Sequence, residues 1–317
     1  MAATLASATR HVKTWKPTAI FSKCITRTCK CLHHDLLKQA LVVWGEVGGW
    51  ERAEWFAPAG VSETLSYRKT EAFEHVATEV LSVREKVGLI DLSSFSKFDI
   101  IGPDAERFLD GLLANRLPKV GRIALAHVLT HSGKVQSEFT VVRLAEDHFY
   151  LVGPALCERQ DEHSLRHALT KEMQVTITNI TMARGCFVVA GPKSRDLMQL
   201  LTDADLSNAG LPWFGYKTCE LGWATDVRLL RVNYLGELGY ELHHPIAFQN
   251  HLLDQLEQAV AEMELQHVGF RALNALRLEK SYRAIKAELT TEDSLDMAGL
   301  GRLCNLKRVT SSVVRQC

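Results

Sequence analysis

The chain has 317 residues, of which 46% are hydrophobic and 23% are charged, and its 37 basic and 37 acidic side chains give a formal net charge of +0. This balance does not indicate a nucleic-acid partner, because such partners select a basic surface. No run reaches the ~18 apolar residues needed to span a bilayer, so we expect no membrane partner. The length predicts a sizeable core in two subdomains.

The first 34 residues contain no acidic side chain. Basic residues stand there among many Ser, Thr and Ala, which is typical of an organelle transit peptide. The alternative is unstructured sequence appended by a misplaced translation start. In either case we expect residues 1–40 to be transit-like or disordered and to contribute nothing to the fold.

Eight cysteines are present, and five of them are scattered singly along the chain. This pattern is no disulfide framework and fits a reducing compartment. Cys24, Cys29 and Cys31 precede His33 and His34, but common structural zinc sites use two separated ligand pairs. The sequence therefore predicts no metal site.

Hydrophobic periodicity predicts alternating helices and strands from residue 43 onward. Three tryptophans within residues 43–58 indicate a segment that wraps a partner surface, and residues 70–87 have helical spacing that Gly88 ends. Strands are predicted at 95–101, 123–129, 135–144, 149–152, 175–180, 227–234 and 240–243, and helices at 155–169, 246–263 and 270–284. Adjacent strands mixed with helices indicate an α+β fold with antiparallel sheets.

An internal repeat relates residues 97–109 to residues 186–198. In both segments a predicted strand ends at Gly-Pro, and a predicted helix follows. Proline suits the first helical turn, because its missing N–H would be unpaired there anyway. The sequence therefore predicts two related strand–helix units.

The strand 135–144 alternates, so that Val135, Phe139 and Val141 face one way and Glu138 the other. If the polar face lines a cleft, Glu138 is a candidate base or electrostatic anchor; otherwise it is an exposed strand residue. Among the 13 dispersed histidines no catalytic arrangement stands out.

Residues 234–241 place aromatics and carboxylates around two glycines, which let the backbone turn tightly with positive φ. Such a turn can bring Tyr234 and Glu241 to one wall of a cleft, where they suit a flat, amino-substituted ring. The alternative is a simple turn with a solvated glutamate. The basic helix at 271–283 contains Arg277, a candidate for binding a carboxylate, or else a solvated charge.

These features occur in an order and spacing that resemble the folate-binding aminomethyltransferase family, the T-protein of the glycine cleavage system. The resemblance is closer to the folate half of dimethylglycine and sarcosine dehydrogenases and covers about residues 41–308. The motifs that carry it are residues 88–98, 102–105, 133–141, 234–241 and 276–279.

The resemblance implies an α+β folate-binding core that transfers a one-carbon unit, derived from a small amine, to the cofactor tetrahydrofolate. Glu138 matches the family's catalytic Asp, one methylene longer. Tyr234, Glu237 and Glu241 match the region that binds the pterin, and Arg277 matches an arginine near the folate tail.

The resemblance also implies a division of the chain. Residues 41–70 would be a remnant of the junction with a flavin half, residues 71–308 the folate-binding domain and residues 309–317 an unstructured tail. The family's C-terminal β-barrel would be missing, and a separate flavoprotein half would be a partner. The protein would be in the mitochondrial matrix if residues 1–34 are a transit peptide, and otherwise cytoplasmic.

The sequence leaves open whether the chain is an enzyme. The alternative is a non-catalytic regulatory or folate-binding protein, which resembles the regulatory subunit of pyruvate dehydrogenase phosphatase. An RNA-modification helper is a weaker alternative, because the chain has no basic patch.

Overall fold

The computed structural model describes residues 42–58, 60–61, 63–64, 66–259 and 265–305. The predicted leader at 1–40 and tail at 309–317 lie outside these residues. Among the described helices, none is both long and apolar enough to cross a membrane.

The described chain alternates strands and helices. The strands are β1 (Val42–Val47), β2 (Trp50–Phe56), β3 (Val87–Asp91), β4 (Ser96–Ile101), β5 (Ile123–Leu129), β6 (Val135–Ala145), β7 (His148–Gly153), β8 (Thr176–Asn179), β9 (Arg184–Ala190), β10 (Tyr216–Leu221), β11 (Ala224–Leu230), β12 (Gly239–Pro245) and β13 (Leu265–His267). The helices are α1 (Ala72–Glu85), α2 (Ala105–Leu112), α3 (Glu158–Ala168), α4 (Ser194–Leu201), α5 (Gln249–Ala259) and α6 (Phe270–Glu279).

Two open sheets organise the fold. One has the order β10-β11-β12-β9-β3-β13 and the other the order β5-β6-β7-β4-β8, while β1 and β2 form a separate hairpin. Their strands pair antiparallel, except that β13 runs parallel to β3. The predicted α+β class with antiparallel sheets is confirmed, and the described strands close no barrel.

The two sheets face each other, and helices cover their outer sides. Helices α4 and α5 pack on the six-stranded sheet, and α2 and α3 pack on the five-stranded sheet. Apolar side chains from both sheets, including Val142, Tyr150 and Leu230, meet between them. Polar contacts also cross this space, because the Tyr150 hydroxyl lies 2.9 Å from His243 Nδ1. The inner faces are therefore partly polar.

The predicted strand–helix repeat is confirmed. Gly102 follows β4 with φ 147°, and Gly191 follows β9 with φ 130°. The residues that precede the two helices, Asp104 and Lys193, have nearly equal φ and ψ angles. A Cβ at either glycine would collide with a backbone carbonyl, of Gln174 or of Lys86. Both units therefore turn from strand to helix in the same way.

Three predicted element boundaries are wrong. The helix predicted at 270–284 ends at Glu279. Gly88 does not end a helix but lies within β3, where it allows the side chains of Val83 and Val268 to approach the backbone closely. The strand predicted at 227–234 ends at Leu230. Beyond it the Asn233 side chain binds the carbonyl of Glu237 and the N–H of Leu235, so that local bonds replace strand pairing.

The tryptophan-rich segment forms the β1–β2 hairpin, which packs on this chain's own helices. Trp55 is fully buried and stacks on His75 of α1 with ring centroids 5.4 Å apart. The buried carboxylate of Glu79 accepts the N–H of Phe56 at 2.7 Å and that of Gly269 at 2.8 Å. Trp55 is therefore part of the core of this chain. The predicted division into a junction segment at residues 41–70 and a folate-binding domain at residues 71–308 stays a prediction.

Candidate functional site

Glu138 lies on the face of β6 that points toward the space between the sheets. Burial alternates along the strand as predicted, with Val135, Phe139 and Val141 buried on the opposite face. The Glu138 side chain is 15% exposed, and its Oε2 lies 2.9 Å from His127 Nε2. Among the described residues, its second carboxylate oxygen has no hydrogen-bond partner.

His127 is a site residue that sequence reasoning missed. It is fully buried on β5, directly opposite Glu138 in the hairpin. Its backbone N–H donates to Asn115 Oδ1 at 2.7 Å, and the Asn115 amide donates to the carbonyl of Leu303. Counting back from the turn would pair residue 127 with residue 137, and only a register shift between Val128 and Leu129 places His127 opposite Glu138.

Tyr234 lies in the loop after β11 and shares a neighbourhood with Glu138. Its ring stacks on Tyr282 with centroids 5.7 Å apart, and its hydroxyl donates to the carbonyl of Arg283. Burial raises the pKa of Tyr234 well above its usual value, the negative charge of Glu138 adds to this, and Arg277 opposes it. The charges of Glu138 and Arg277 therefore both act on the Tyr234 hydroxyl.

Arg277 lies on α6, only 4% exposed. Its guanidinium holds both carboxylate oxygens of Glu288, at 2.8 and 3.0 Å, and donates to the carbonyl of Tyr282 and to Asn274 Oδ1. These bonds lower the pKa of Glu288. Arg277 thus fixes the segment that carries Tyr282, the stacking partner of Tyr234.

Glu241 lies in a second, deeper group on the inner face of β12. It is 9% exposed, and its Oε2 is 3.0 Å from His243 Nε2. Burial raises the pKa of Glu241 to about 8, while the charge of Lys97 opposes the shift. Lys97 is itself fully buried, and burial lowers its pKa to about 8. The sequence analysis did not identify Lys97, because nothing in the pattern of its strand showed that this charged side chain would be buried.

Glu237 lies apart from both groups, beside Lys280 at 3.7 Å. The two glycines of this turn differ from the prediction, since only Gly236 has positive φ, at 76°. Gly239 is required by space instead, because a Cβ there would meet the Asn233 amide and the Ala190 side chain. The nearest partners of Tyr234, Glu237 and Glu241 are thus different residues, namely Tyr282, Lys280 and His243.

A buried carboxyl group lies behind Glu138, on the other face of β6. Asp161 of α3 is fully buried, and its Oδ1 accepts the Ser137 hydroxyl at 2.6 Å. Burial raises the pKa of Asp161 to about 7. Because Ser137 directly precedes Glu138, Asp161 anchors the strand that presents Glu138.

Residues 33–308 match the family described as GCVT N-terminal domain. The chain therefore belongs to this family.

Relatives and a solved structure support the assignment. The chain is 36% identical over 271 residues to dimethylglycine dehydrogenase, mitochondrial, of Mus musculus, covering 84% of this chain and 31% of that protein. It is 31% identical over 317 residues to sarcosine dehydrogenase, mitochondrial, of Homo sapiens, covering 87% and 34%. The chain thus spans about a third of the length of these relatives.

The glycine cleavage system aminomethyltransferase T from Bartonella henselae has the same fold. Its crystal structure superposes with a TM-score of 0.75 at 21% identity, covering 89% of this chain and 72% of that one.

Proposed function

We propose that this chain binds tetrahydrofolate between its two sheets and supports the transfer of a one-carbon unit onto it. The observation that carries the proposal is the pair of inward carboxylates, Glu138 and Glu241. Each is held through one oxygen by a buried histidine, and in the described structure the other oxygen of each has no hydrogen-bond partner. These open acceptors suit the N–H groups of a reduced pterin.

In this proposal the open oxygen of Glu241 accepts an N–H bond from the amino-substituted edge of the pterin, a charge-assisted contact. Tyr234 forms an aromatic wall, and Glu237 lies nearer the rim. Arg277 orients the folate tail, whose carboxylate has to share or displace the Glu288 contact. Tetrahydrofolate supplies the two nitrogens that the incoming carbon bridges as a methylene group.

Glu138 is the proposed base. The incoming carbon is an iminium, the product of oxidising an N-methyl amine of the dimethylglycine or sarcosine type. Its capture forms two carbon–nitrogen bonds, breaks the bond to the amine and removes two N–H protons. One proton leaves with the amine, and the open oxygen of Glu138 accepts the other.

A flavoprotein half is the proposed source of the iminium. This follows from the relatives, whose names describe dehydrogenases about three times as long as the match. Both names also carry the word mitochondrial, which supports the mitochondrial matrix as the proposed location.

Calorimetry tests folate binding through Glu241. At pH 7 a carboxyl group with a pKa of about 8 is mostly protonated, so its contact with the pterin should release a proton. The heat of tetrahydrofolate binding should then vary with the ionisation enthalpy of the buffer. Glu241→Gln should weaken binding by about 1–3 kcal/mol and abolish that variation. Glu257→Gln, at an exposed position on α5, is the matched control.

Formaldehyde then tests the transfer. Formation of 5,10-methylene-tetrahydrofolate is followed with the chain present and with the uncatalysed rate subtracted. Glu138→Gln should slow the reaction far more than it weakens tetrahydrofolate binding. Binding without any acceleration would favour the regulatory alternative, and absence of binding would remove the proposal.

A further inference from the structure

Three metal-ligating side chains converge on the inner face of the six-stranded sheet. Cys186 on β9 lies directly opposite His243 on β12, and Glu241 is two residues before His243 on the same face. The Cys186 Sγ is 3.6 Å from His243 Nε2, which is 3.0 Å from Glu241 Oε2. All three donor atoms lie within 4.8 Å of one another.

These separations are close to those between the ligands of a tetrahedral zinc ion. With Zn–S near 2.3 Å and Zn–N near 2.05 Å, the tetrahedral S···N edge is about 3.6 Å. One ion can therefore contact sulfur, nitrogen and oxygen with small side-chain adjustments. Cys186 and His243 are at most 1% exposed, so the backbone positions are set by the surrounding core.

The second nitrogen of His243 has the partner that a zinc ligand needs. His243 Nδ1 lies 2.9 Å from the Tyr150 hydroxyl, so that Nδ1 can carry the proton while Nε2 binds the ion. Such an outer bond fixes the tautomer and the orientation of a ligating imidazole. Tyr150 is in turn held beneath the Arg228 guanidinium, 4.5 Å from its ring centre.

The surrounding charges are compatible with a divalent ion. A thiolate and a carboxylate together neutralise Zn²⁺. Arg184 and Arg228, whose charges act on His243, are paired with Asp226 and Asp99. The Lys97 ammonium is held by the carbonyls of Ser93 and Phe95, at 2.9 and 2.7 Å. The zinc centre beside it would carry no net charge, because the thiolate and the carboxylate cancel the charge of the ion.

We propose that Cys186, Glu241 and His243 bind Zn²⁺ and leave its fourth position open. The argument for this site uses only the arrangement of these three side chains, and it does not depend on whether the chain binds folate. Three protein ligands of S, N and O type with one open position form a known class of zinc site. Because Glu241 also belongs to the proposed pterin site, the ion and the pterin compete for one carboxylate.

Cobalt is a direct probe, because a thiolate bound to Co²⁺ gives a charge-transfer absorption in the near ultraviolet. The full chain is used with Cys24, Cys29 and Cys31 replaced by serine, so that the N-terminal thiols cannot contribute, and metal is first removed by a chelator. We expect one equivalent of Co²⁺ to produce the absorption and Zn²⁺ to bleach it. Cys186→Ser should abolish it, whereas Cys219→Ser, at a buried cysteine of another cluster, should keep it.

Two further variants keep the test decisive if Cys186→Ser fails to fold. Glu241→Gln and His243→Asn keep side chains of similar size and should each weaken Co²⁺ binding about 100-fold or more. Zn²⁺ should raise the melting temperature of the parent chain and not that of either variant. An absorption that survives in Cys186→Ser, or Co²⁺ binding without thiolate absorption, would overturn the proposal. Because no folate is present, failure of folate binding leaves this result unchanged.

Discussion

His127 and Glu138 face each other across β5 and β6, with Nε2 of the imidazole 2.9 Å from Oε2 of the carboxylate. An ionised carboxylate only accepts hydrogen bonds, so the imidazole nitrogen donates in this pair. The contact fixes one oxygen of Glu138 and turns the other toward the space between the sheets. His127 is thus a positioning residue for the proposed base.

We expect His127→Leu to lower the rate of methylene transfer about 100-fold, since small misplacements of a reacting group cost that much. Tetrahydrofolate affinity should be unchanged. His127→Gln retains an N–H donor and should restore most of the rate. His267→Leu removes a different histidine–glutamate pair, with Glu257, and serves as control. Equal rates in the Leu and Gln variants would contradict the positioning role.

Stability should depend on pH through Asp161. Burial raises its pKa to about 7 in the folded protein, above the value of about 4 expected in the unfolded chain. The stability contributed by the protonated group is therefore fully present below about pH 4 and is lost as the pH rises through about 7. Asp161→Asn removes the titration and should be more stable than the parent at pH 8 by a few kcal/mol, at about 1.4 kcal/mol per unit of pKa shift.

Urea unfolding at pH 5 and pH 8 measures this difference. The parent should lose stability between the two values, and Asp161→Asn should lose less. Asp196→Asn, at an exposed position on α4, should behave as the parent does. Parallel curves for the parent and Asp161→Asn would show that Asp161 does not titrate in this range.

The two Gly-Pro turns should be intolerant of a side chain. Gly102→Ala and Gly191→Ala place a Cβ on a positive-φ backbone and against a carbonyl oxygen, so each should destabilise the protein by more than about 2 kcal/mol. Gly111→Ala is the matched control, because Gly111 lies in α2 with no atom near its missing Cβ. It should stabilise by about 0.5 kcal/mol. Thermal melts that rank the three variants alike would contradict the expectation.

The Arg277–Glu288 pair should contribute to stability. Arg277→Lys replaces a two-pronged contact by a single one and should cost about 1–2 kcal/mol in urea unfolding. Arg166→Lys changes an exposed arginine paired with Glu162 and should cost less than about 0.5 kcal/mol. Equal costs would mean that burying the arginine of the pair adds nothing to its contribution.

The sequence pattern was enough to predict those features of the fold that are set by residues close together in the chain, such as strand alternation and the turns from strand to helix. The alternation along β6 placed Glu138 opposite Phe139 correctly, because a strand has a fixed period of two. The Gly-Pro steps marked both strand–helix units. Gly88 was misassigned because a glycine after a helical pattern fits a helix end or a strand equally well, and the side chain of Val268 on a distant segment decides between them.

The deeper half of the site was not predictable in this way. Cys186 and His243 are 57 residues apart, and only the pairing of β9 with β12 places them side by side. Lys97 and Asp99 alternate with Phe98 and Ile100 along β4, a pattern equally typical of a strand whose charged face meets solvent, so it did not show that Lys97 is buried. Tyr234 and Arg277 were found through the resemblance, but the Glu288 contact that occupies Arg277 arises from a loop with no periodic signal.

Glu79 bonds the end of β2 and the start of α6 with its two oxygens, so the N-terminal hairpin and the last helix share one anchor. These segments should therefore open as one cooperative unit, and hydrogen exchange at the amides of Phe56 and Gly269 should report the same opening free energy. Cleaving the chain at residue 70 would separate the hairpin from that anchor. The smallest part of this chain that folds as a unit should therefore include the hairpin that begins with β1.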